Sequence, residues 1–494
     1  MTRDAKNDSG SSGAAAPTSS DDAVESALKA AEPEGTQHLH FSYGPIAITP
    51  GQNNIAFSGK QVPKPTEDGY ILRIAPNLQR PDGSIPAVDV LHLHHGVWLN
   101  RSNADATMPN LPERFFAAGE EKTTMELPTG FGYAYKASDK WTINYMLHDL
   151  TPNPDSVSIT YDIDFLPASA PAAKSIRAAI PIWMDVQNGS VYPVFDVLKG
   201  SGSGGTFTYP DQATAPYGNG PALNEWKVDR DLVLIATGGH LHPGGLHDDL
   251  AVDRPGAGRA HLFESDTTYY EPAGAVSWDV AMKVTDPDWR VAVHPGDTLR
   301  VSATYDTTRA SWYESMGIMV TWATPGTDGP DPFTTKVDVG GHLTHGHLAE
   351  NDNHGGGGVI ETKATAALTP VPAAGNVDIS DFTYTQGDRT VKQSTTVPVI
   401  SAGQSLTFVN DDNALAAPVW HTITACKEPC DQATGIAYPL ADSDVPIDSG
   451  QLGTGGPPTA GTVTWSTPTD LAAGTYAYFC RIHPFMRGSF VVTP

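Results

Sequence analysis

Four side chains near the C-terminal end of this 494-residue chain have the chemistry of a copper ligand set. Cys480, His483 and Met486 lie in one short run, CRIHPFM, and His421 lies further upstream. One thiolate, two imidazoles and a weak thioether are the donors of a blue-copper electron-transfer site. Because Cys480 ends an alternating strand, a tight loop through Pro484 can return His483 and Met486 to the same metal.

A second series of candidate ligands lies upstream and comprises, in chain order, His94, His95, His148, His240, His242 and Met316. Residues two apart on a strand share a face, so His240 and His242 form a ready pair of ligands. Adjacent histidines such as His94 and His95 bind one metal only where the strand bends or bulges. Methionine is a soft ligand that selects Cu(I) over zinc or iron.

Each of these residues also has an ordinary structural interpretation. A lone histidine such as His148 is typical of a hydrogen-bonded core residue, and Met316 is typical of a core filler. The order of the whole series is what favours metal binding. A further histidine group lies in a Gly-rich stretch and comprises His342, His345, His347 and His354. An additional copper site and a polar loop without a metal fit that group equally well.

Strands must position these ligands, and the dominant period after residue 37 is two. Apolar residues alternate with polar ones over 157–165 and over 299–305, and Gly- and Pro-containing turn signals separate such runs. Few segments sustain a helical period, apart from a possible short helix at 21–32. The sequence therefore predicts an all-β protein, most simply one built of sandwiches.

Composition limits the possible functions. Lys and Arg number 30 against 56 Asp and Glu, a formal charge of −26, which excludes a partner such as nucleic acid or anionic lipid. No apolar run approaches the roughly 18 residues of a membrane span. Of the three cysteines, Cys426 and Cys430 are close enough for a local disulfide, which leaves Cys480 single.

The C-terminal part of the chain, about residues 376–494, resembles the cupredoxins. All four ligand positions match, and the short loop C-x2-H-P-F-M is most similar to the amicyanin type. The resemblance implies a small Greek-key sandwich that transfers one electron at a time. Within that fold, we interpret Cys426 and Cys430 as a local disulfide near the His421 loop.

The upstream part, about residues 38–325, resembles the copper type II ascorbate-dependent monooxygenases, the family of peptidylglycine hydroxylating monooxygenase and dopamine β-monooxygenase. The segments LHLHHGVW, ELPTGFGYAYKASDKWTINYMLHDL and GDTLRVSATYDTTRASWYESMGIMV carry the likeness. The resemblance implies two jelly-roll-like domains, each with one copper. One copper, on His94, His95 and His148, stores an electron. The other, on His240, His242 and Met316, binds dioxygen and abstracts hydrogen from a substrate C–H bond.

Several positions depart from that family. The peptide-processing members have an arginine where this chain has Gly238, and they have asparagine and tyrosine where it has Ile318 and Val320. Those residues anchor a peptide carboxylate in the family, which argues against a peptidylglycine substrate. The family's disulfides are also missing, since no cysteine precedes residue 426.

The resulting hypothesis is a copper-dependent monooxygenase with about three copper ions, one of them blue. Its partners are O2, a small organic substrate and an external electron donor. Blue-copper and copper-oxygenase sites usually work outside the cytoplasm and a disulfide fits that setting, so the predicted location is periplasmic, envelope-bound or secreted, although no signal peptide is visible. The predicted divisions are a leader or tether at 1–36, sandwiches at 37–200 and 201–328, a His- and Gly-rich linker at 329–375, and the cupredoxin at 376–494.

Two other functions remain open. The first is a copper-binding electron-transfer or copper-handling protein without substrate chemistry, which the missing peptide anchors favour. The second, less favoured, is a copper-dependent reductase, because the interdomain His–Cys–His pattern of such enzymes is absent from the sequence. Coupled O2 consumption and substrate hydroxylation distinguish the monooxygenase from both.

Overall fold

The computed structural model describes residues 32–494 with the exception of 89, 121, 188–192, 218–219, 270–279, 345–361, 391–393, 415–417, 428–444 and 455–460. These residues form β-strands and the short 3-10 helices Pro171–Ser175, Thr365–Ala367 and Asp411–Ala414. The prediction of an all-β fold is confirmed. The possible helix at 21–32 lies, apart from its last residue, outside the described residues. In the described part of the chain, no helix has the length and apolar character needed to cross a bilayer.

The first sandwich contains nine strands: β1 Gln37–Ile48, β2 Asn53–Phe57, β3 Gly69–Gln79, β4 Leu91–Ala104, β5 Pro112–Gly119, β6 Met125–Glu126, β7 Phe131–Tyr135, β8 Trp141–Asp149 and β9 Asp155–Pro167. One layer has the order β1-β9-β3-β7, and the other has the order β2-β8-β4-β5. The alternating residues of β9, among them Ile159, Tyr161 and Ile163, are fully buried between these layers. The period of two in the sequence therefore marks the inward face of the first core.

The second sandwich follows with β10 Arg177–Asp185, β11 Phe195–Val197, β12 Thr206–Tyr209, β13 Glu225–Lys227, β14 Leu232–Leu241, β15 Gly245–Arg254, β16 Gly258–Tyr269, β17 Val280–Thr285, β18 Val291–Val293, β19 Thr298–Asp306, β20 Trp312–Ser315, β21 Gly317–Pro325 and β22 Gly341–Thr344. Most of these strands belong to the path β10-β21-β14-β17-β16-β15-β19-β12. Strand β12 lies within the polar, Gly-rich stretch 199–219 and pairs with β19.

Strand β10 joins the two sandwiches into one sheet. It pairs in parallel with β7 of the first sandwich and antiparallel with β21 of the second. Apolar residues of β14 and β21, including Val233, Ile235 and Trp322, consequently pack into the first core. The two sandwiches are therefore held in a fixed relative position by backbone hydrogen bonds as well as by apolar contact.

The C-terminal sandwich contains β23 Thr369–Pro372, β24 Val377–Ser380, β25 Thr383–Tyr384, β26 Thr396–Ser401, β27 Thr407–Asn410, β28 Thr424–Cys426, β29 Thr464–Ser466, β30 Gly474–Phe479 and β31 Arg487–Thr493. Its two sheets have the orders β23-β26-β31-β30-β28 and β25-β24-β27-β29. Parallel pairs, such as β24 with β27 and β26 with β31, stand beside antiparallel ones. Cys480 and Met486 lie in the apolar core between the sheets.

A matched pair of leucines tests this assignment of the second core. Leu234 on β14 is fully buried, whereas the side chain of Leu198 is 57% exposed. We expect Leu234→Ala to lower the free energy of unfolding by about 2–5 kcal/mol, because the deletion leaves a cavity among packed side chains. Leu198→Ala should change it by less than about 0.5 kcal/mol. Urea unfolding followed by tryptophan fluorescence measures both, and equal losses would contradict the assignment.

Candidate metal centres

Three of the four predicted ligands in the C-terminal sandwich meet in one buried triangle. The Sγ atom of Cys480 lies 3.8 Å from Nδ1 of His421 and 3.7 Å from Nδ1 of His483, and the two Nδ1 atoms are 3.2 Å apart. Atoms that share one metal at about 2.0–2.3 Å have spacings of this size. All three side chains are buried. The donor set therefore fits a trigonal metal site.

The loop that carries Cys480, His483 and Met486 is closed by its own backbone. The amide of Met486 donates to the carbonyl of His483 at 2.8 Å, and the amide of Cys480 donates to the carbonyl of Met486 at 3.1 Å. Met486 is fully buried in the same apolar cluster as Cys480 and Phe485. Met486 would supply the weak thioether donor of a blue-copper site.

Hydrogen bonds outside the triangle orient its members. The Nε2 atom of His421 lies 3.0 Å from a carboxylate oxygen of Asp412, which directs Nδ1 towards the thiol. The amide of Thr422 donates to the Sγ atom of Cys480 at 3.3 Å. Burial alone would raise the pKa of Cys480, but the hydrogen bond and charge of His421 lower it below the usual value of a thiol. This environment favours the thiolate, the form that binds metal.

A bulge in β4 decides where the upstream histidines point. The register between β4 and β8 shifts between Leu93 and His95. Before the shift, Leu91 and Leu93 enter the first core; after it, Trp98 does. His94 and His95 are therefore both directed away from that core and towards the second sandwich. This is the local bend that adjacent histidines require if they are to face the same region.

Histidines from both sandwiches converge there. The ring centroids of His94 and His242 are 4.7 Å apart, and those of His94 and His148 are 5.8 Å apart. Donor atoms of His94, His242 and the buried Glu120 all lie within 4.8 Å of one another. His92 stands directly opposite His148 across β4 and β8. We call these five residues the junction cluster: His92, His94, Glu120, His148 and His242.

The junction cluster takes members from both predicted copper triads. His94 approaches His242 of the second sandwich, whereas the predicted sets place them on different metals. The two predicted triads, His94 with His95 and His148, and His240 with His242 and Met316, remain predictions. The structure adds that residues of the two triads, His94 and His242, lie next to each other across the contact between the sandwiches.

Hydrogen bonds set which ring nitrogen of each histidine carries the lone pair. His92 donates from Nδ1 to the carbonyl of Val88 at 2.8 Å, and His242 donates from Nδ1 to the carbonyl of Glu314. Nε2 is then the nitrogen with a lone pair in both rings. His148 donates from Nε2 to the carbonyl of Ile482 at 2.7 Å, so its lone pair lies on Nδ1. Bonds of this kind are typical of histidines that bind metals.

Burial keeps these imidazoles neutral. It lowers the pKa of His148 to about 4 and that of His95 to about 4, and it holds the pKa of His242 well below the usual range. The pKa of His94 is also held well below its usual range, by burial first and then by the surrounding imidazoles. Neutral imidazole is the form that coordinates metal, so the cluster is ready for an ion near neutral pH.

Three other predicted ligands face a cavity of about 460 Å³ between the sandwiches: His95, His240 and Met316. We call them the cavity set. The hydroxyl of Tyr305 ties their strands together, since it donates to the carbonyl of Met316 at 2.5 Å and accepts from the amides of Met316 and His242, each at 3.1 Å. Tyr305 thus positions the segments that carry both His242 and Met316.

The C-terminal sandwich lies directly against the junction cluster. The carbonyl that accepts from His148 belongs to Ile482, the residue before His483. The rings of His148 and His483 have centroids 6.5 Å apart. His483 also donates from Nε2 to the carbonyl of Gly51 at 2.9 Å. The two donor sets are therefore linked through one hydrogen bond and a short stretch of backbone.

Sequence reasoning missed Glu120, Tyr305 and Asp412. Glu120 follows the apolar end of β5, and an acidic residue at the end of a buried strand is a weak signal. Tyr305 lies on the inward face of β19 and looks like any core aromatic. Asp412 lies in a 3-10 turn beside an exposed acidic neighbour, Asp411. The roles of Glu120 and Tyr305 depend on His242, which is far away in sequence, and the role of Asp412 depends on a contact with His421 that forms only on folding.

The remaining predicted groups are only partly described. His342 lies on β22, where Nδ1 is 3.2 Å from a carboxylate oxygen of Asp286, and it lines the cavity. His345, His347 and His354 lie outside the described residues. Cys426 is disulfide-bonded and Cys480 is free; Cys430 lies outside the described residues.

No family model and no curated protein matches the chain. Among solved structures, it is similar to a purple cupredoxin from Nitrosopumilus maritimus, with 22% identity, 19% of this chain and 75% of that chain covered, and a TM-score of 0.12. It is similar to a mutant of amicyanin in its Cu(I) form, with 21% identity, 27% and 92% coverage, and a TM-score of 0.15. It is similar to a copper-containing nitrite reductase from Thermus scotoductus, with 13% identity, 53% and 55% coverage, and a TM-score of 0.17. These TM-scores are low, so the interpretation of the site rests on its own residues and distances.

Two neighbouring aspartates test the orientation of His421. Asp412 is buried and bonded to His421, whereas Asp411 is exposed in the same turn. We expect Asp412→Ala to weaken Cu²⁺ binding at the C-terminal site by about 10–100-fold, because the ring loses the partner that orients Nδ1. Asp411→Ala should leave the affinity unchanged. Competitive titration with a copper chelator measures both, and equal weakening would point to a general effect of charge instead.

Proposed function

We propose that this protein is a copper-dependent monooxygenase, in which a blue-copper site in the C-terminal sandwich supplies electrons to copper held between the two upstream sandwiches. Cys480, His421, His483 and Met486 would hold the blue copper. The junction cluster and the cavity set would hold the upstream ions. Bound copper would supply one-electron transfer at the blue site and at the junction cluster, and dioxygen activation at the cavity set.

One observation carries the proposal: the hydrogen bond from His148 to the carbonyl of Ile482. It connects a member of the junction cluster to the residue beside His483 at 2.7 Å. Tethering also raises the effective concentration of the electron donor, because the donor site is part of the same chain. A cupredoxin that only exchanged electrons with outside partners would gain nothing from a histidine cluster buried against its ligand loop.

Hydroxylation consumes one C–H bond, one O2 molecule, two electrons and two protons, and it yields an alcohol and water. An external reductant supplies the electrons one at a time. The residues of this chain bind the substrate and orient its C–H bond. His95 and His240 face the cavity in which the C–H bond is held, and Asn144 fixes the ring of His95 through a 3.0 Å hydrogen bond at Nε2.

The proposed location is outside the cytoplasm. Disulfides persist in oxidising compartments, and Cys426 is disulfide-bonded. An acidic protein with a formal charge of −26 suits a donor that is a small molecule or a basic protein.

A second candidate is a copper-binding electron-transfer protein without substrate chemistry. The 4.7 Å distance between the rings of His94 and His242 favours it, since one ion shared by the junction cluster would combine the two predicted upstream sites. Copper counting separates the two candidates. About three ions per chain support the monooxygenase, and two support the electron-transfer protein.

Two methionines in one segment test the oxygen chemistry. Met316 lines the cavity, whereas Met319 is fully buried in the second core. We expect Met316→Ile to abolish the incorporation of isotope-labelled dioxygen into organic products, because the cavity set loses its thioether, while the blue absorption stays intact. Met319→Ile should retain incorporation. Mass spectrometry of the products, with ascorbate as reductant, measures both. Full incorporation by Met316→Ile would exclude Met316 as a ligand.

An interface arginine tests the route of the electrons. Arg481 donates to the carbonyl of Ser311, pairs with Asp448 at 3.2 Å, and lies over the ring of Tyr313. We expect Arg481→Ala to slow the transfer of electrons out of the blue site by about tenfold or more, since the two donor sets lose their fixed approach. The exposed Arg230 provides the control, Arg230→Ala. Flash reduction followed through the blue absorption measures the rate. An unchanged rate in Arg481→Ala would contradict the proposed route.

A further inference from the structure

The cavity between the sandwiches has a volume in the range of pockets that take small organic ligands, about 300–1,000 Å³. One wall comes from β4, β5 and β8, and the other comes from β14 and β21. His95, His240 and Met316 lie on its surface. A ligand in this space is therefore adjacent to the proposed oxygen chemistry.

The walls are largely apolar. Phe116, Trp183, Ile318 and Trp322 contribute to the interior surface. Among the residues that the structure describes, large apolar side chains are rarely exposed, yet two of those that are, Phe57 at 54% and Leu111 at 42%, line this cavity. Exposed apolar groups at the opening of an apolar pocket are typical of a surface that meets an apolar ligand.

The cation inside the cavity is already neutralised. Arg114 donates from Nε to Asp105 at 2.8 Å and from Nη1 to Asp185 at 2.9 Å, and both carboxylates are buried. Its remaining nitrogen donates to Asp105 and Thr107, and the guanidinium lies over the ring of Trp183. Each nitrogen of the side chain thus has a partner, and the group carries no net positive charge towards a ligand.

The other charged residues that line the cavity are exposed to solvent, which screens their charges. Arg101 and Glu126 line the cavity and are exposed. Solvent-exposed ion pairs contribute little, about 0–1 kcal/mol, so Arg101 is a poor anchor for a ligand carboxylate. An anionic ligand that enters the interior would lose its water without gaining a cationic side chain as a partner, which is costly.

We propose that the cavity binds a largely apolar organic molecule without an anionic group, with the reacting carbon towards His95, His240 and Met316. The position of the reacting carbon rests on the proposed function. The exclusion of anionic ligands does not, because it follows from the walls and from the neutralised Arg114.

Two probes with one carbon skeleton test the proposal: 4-phenyl-1-butanol and 4-phenylbutyrate. Calorimetric titration into the reduced, copper-loaded protein without dioxygen measures binding in the absence of turnover, and Cu(I) is a soft ion that does not favour a carboxylate ligand. We expect the alcohol to bind at least about tenfold more tightly than the carboxylate, since only the carboxylate must be desolvated without a cationic partner. Tighter or equal binding of the carboxylate would overturn the proposal. Failure of both probes to bind at millimolar concentration would overturn it too.

Variants locate the binding site. Ala117 lines the cavity, and Ala117→Phe should abolish binding of the alcohol, whereas Ala257→Phe, in an exposed turn, should not. An unchanged circular dichroism spectrum shows that each variant is folded. Asp185→Asn removes one of the two carboxylates that neutralise Arg114, so binding of 4-phenylbutyrate should strengthen relative to the alcohol. Unchanged alcohol binding in Ala117→Phe would place the ligand elsewhere and overturn the proposal.

The same probes separate the two proposals. Selective binding of the alcohol without incorporation of labelled oxygen would support the ligand class and contradict the monooxygenase. Oxygen incorporation into 4-phenylbutyrate would support the monooxygenase and overturn the ligand class.

Discussion

The pairing of β10 with both β7 and β21 is the constraint on which the rest of the structure depends. Through it one sheet continues from the first sandwich into the second, so the relative position of the two is set by backbone hydrogen bonds. Because β4 and β14 lie on facing sides of this arrangement, His94 comes within 4.7 Å of His242, ring to ring. A loose linker between separate domains would not hold imidazoles at such a distance without a metal.

Burial of so many imidazoles at one place opposes folding unless something compensates for it. Each ring must remain neutral, and each loses contact with water. Hydrogen bonds to backbone carbonyls satisfy one nitrogen in His92, His148 and His242. A metal ion satisfies the other nitrogen in sites of this chemistry, and its binding then stabilises the folded state. The partners of the two ring nitrogens therefore connect the stability of the folded protein with the proposed function.

Much of the C-terminal site was predictable from the sequence. Cys480, His483 and Met486 lie in one short loop, so their convergence is a local property, and His421 is the one member that depends on sheet packing. The upstream residues were predictable as candidates but not as partners. Strand periodicity placed His94 on one face, while the bulge after Leu93, which brings His95 to the same side, is visible only in the register with β8. Glu120 carries only a weak local signal, and Tyr305 carries none that distinguishes it from other core aromatics.

The sequence by itself determined the all-β class, the types of donor side chain and their order, because periodicity and side-chain chemistry belong to the chain whatever its path. The tertiary structure alone decided which donors meet. Contacts such as His94 with His242, or His148 with Ile482, join residues that are distant in sequence. Their distances depend on strand pairing and on the docking of one sandwich against another, which no local pattern encodes.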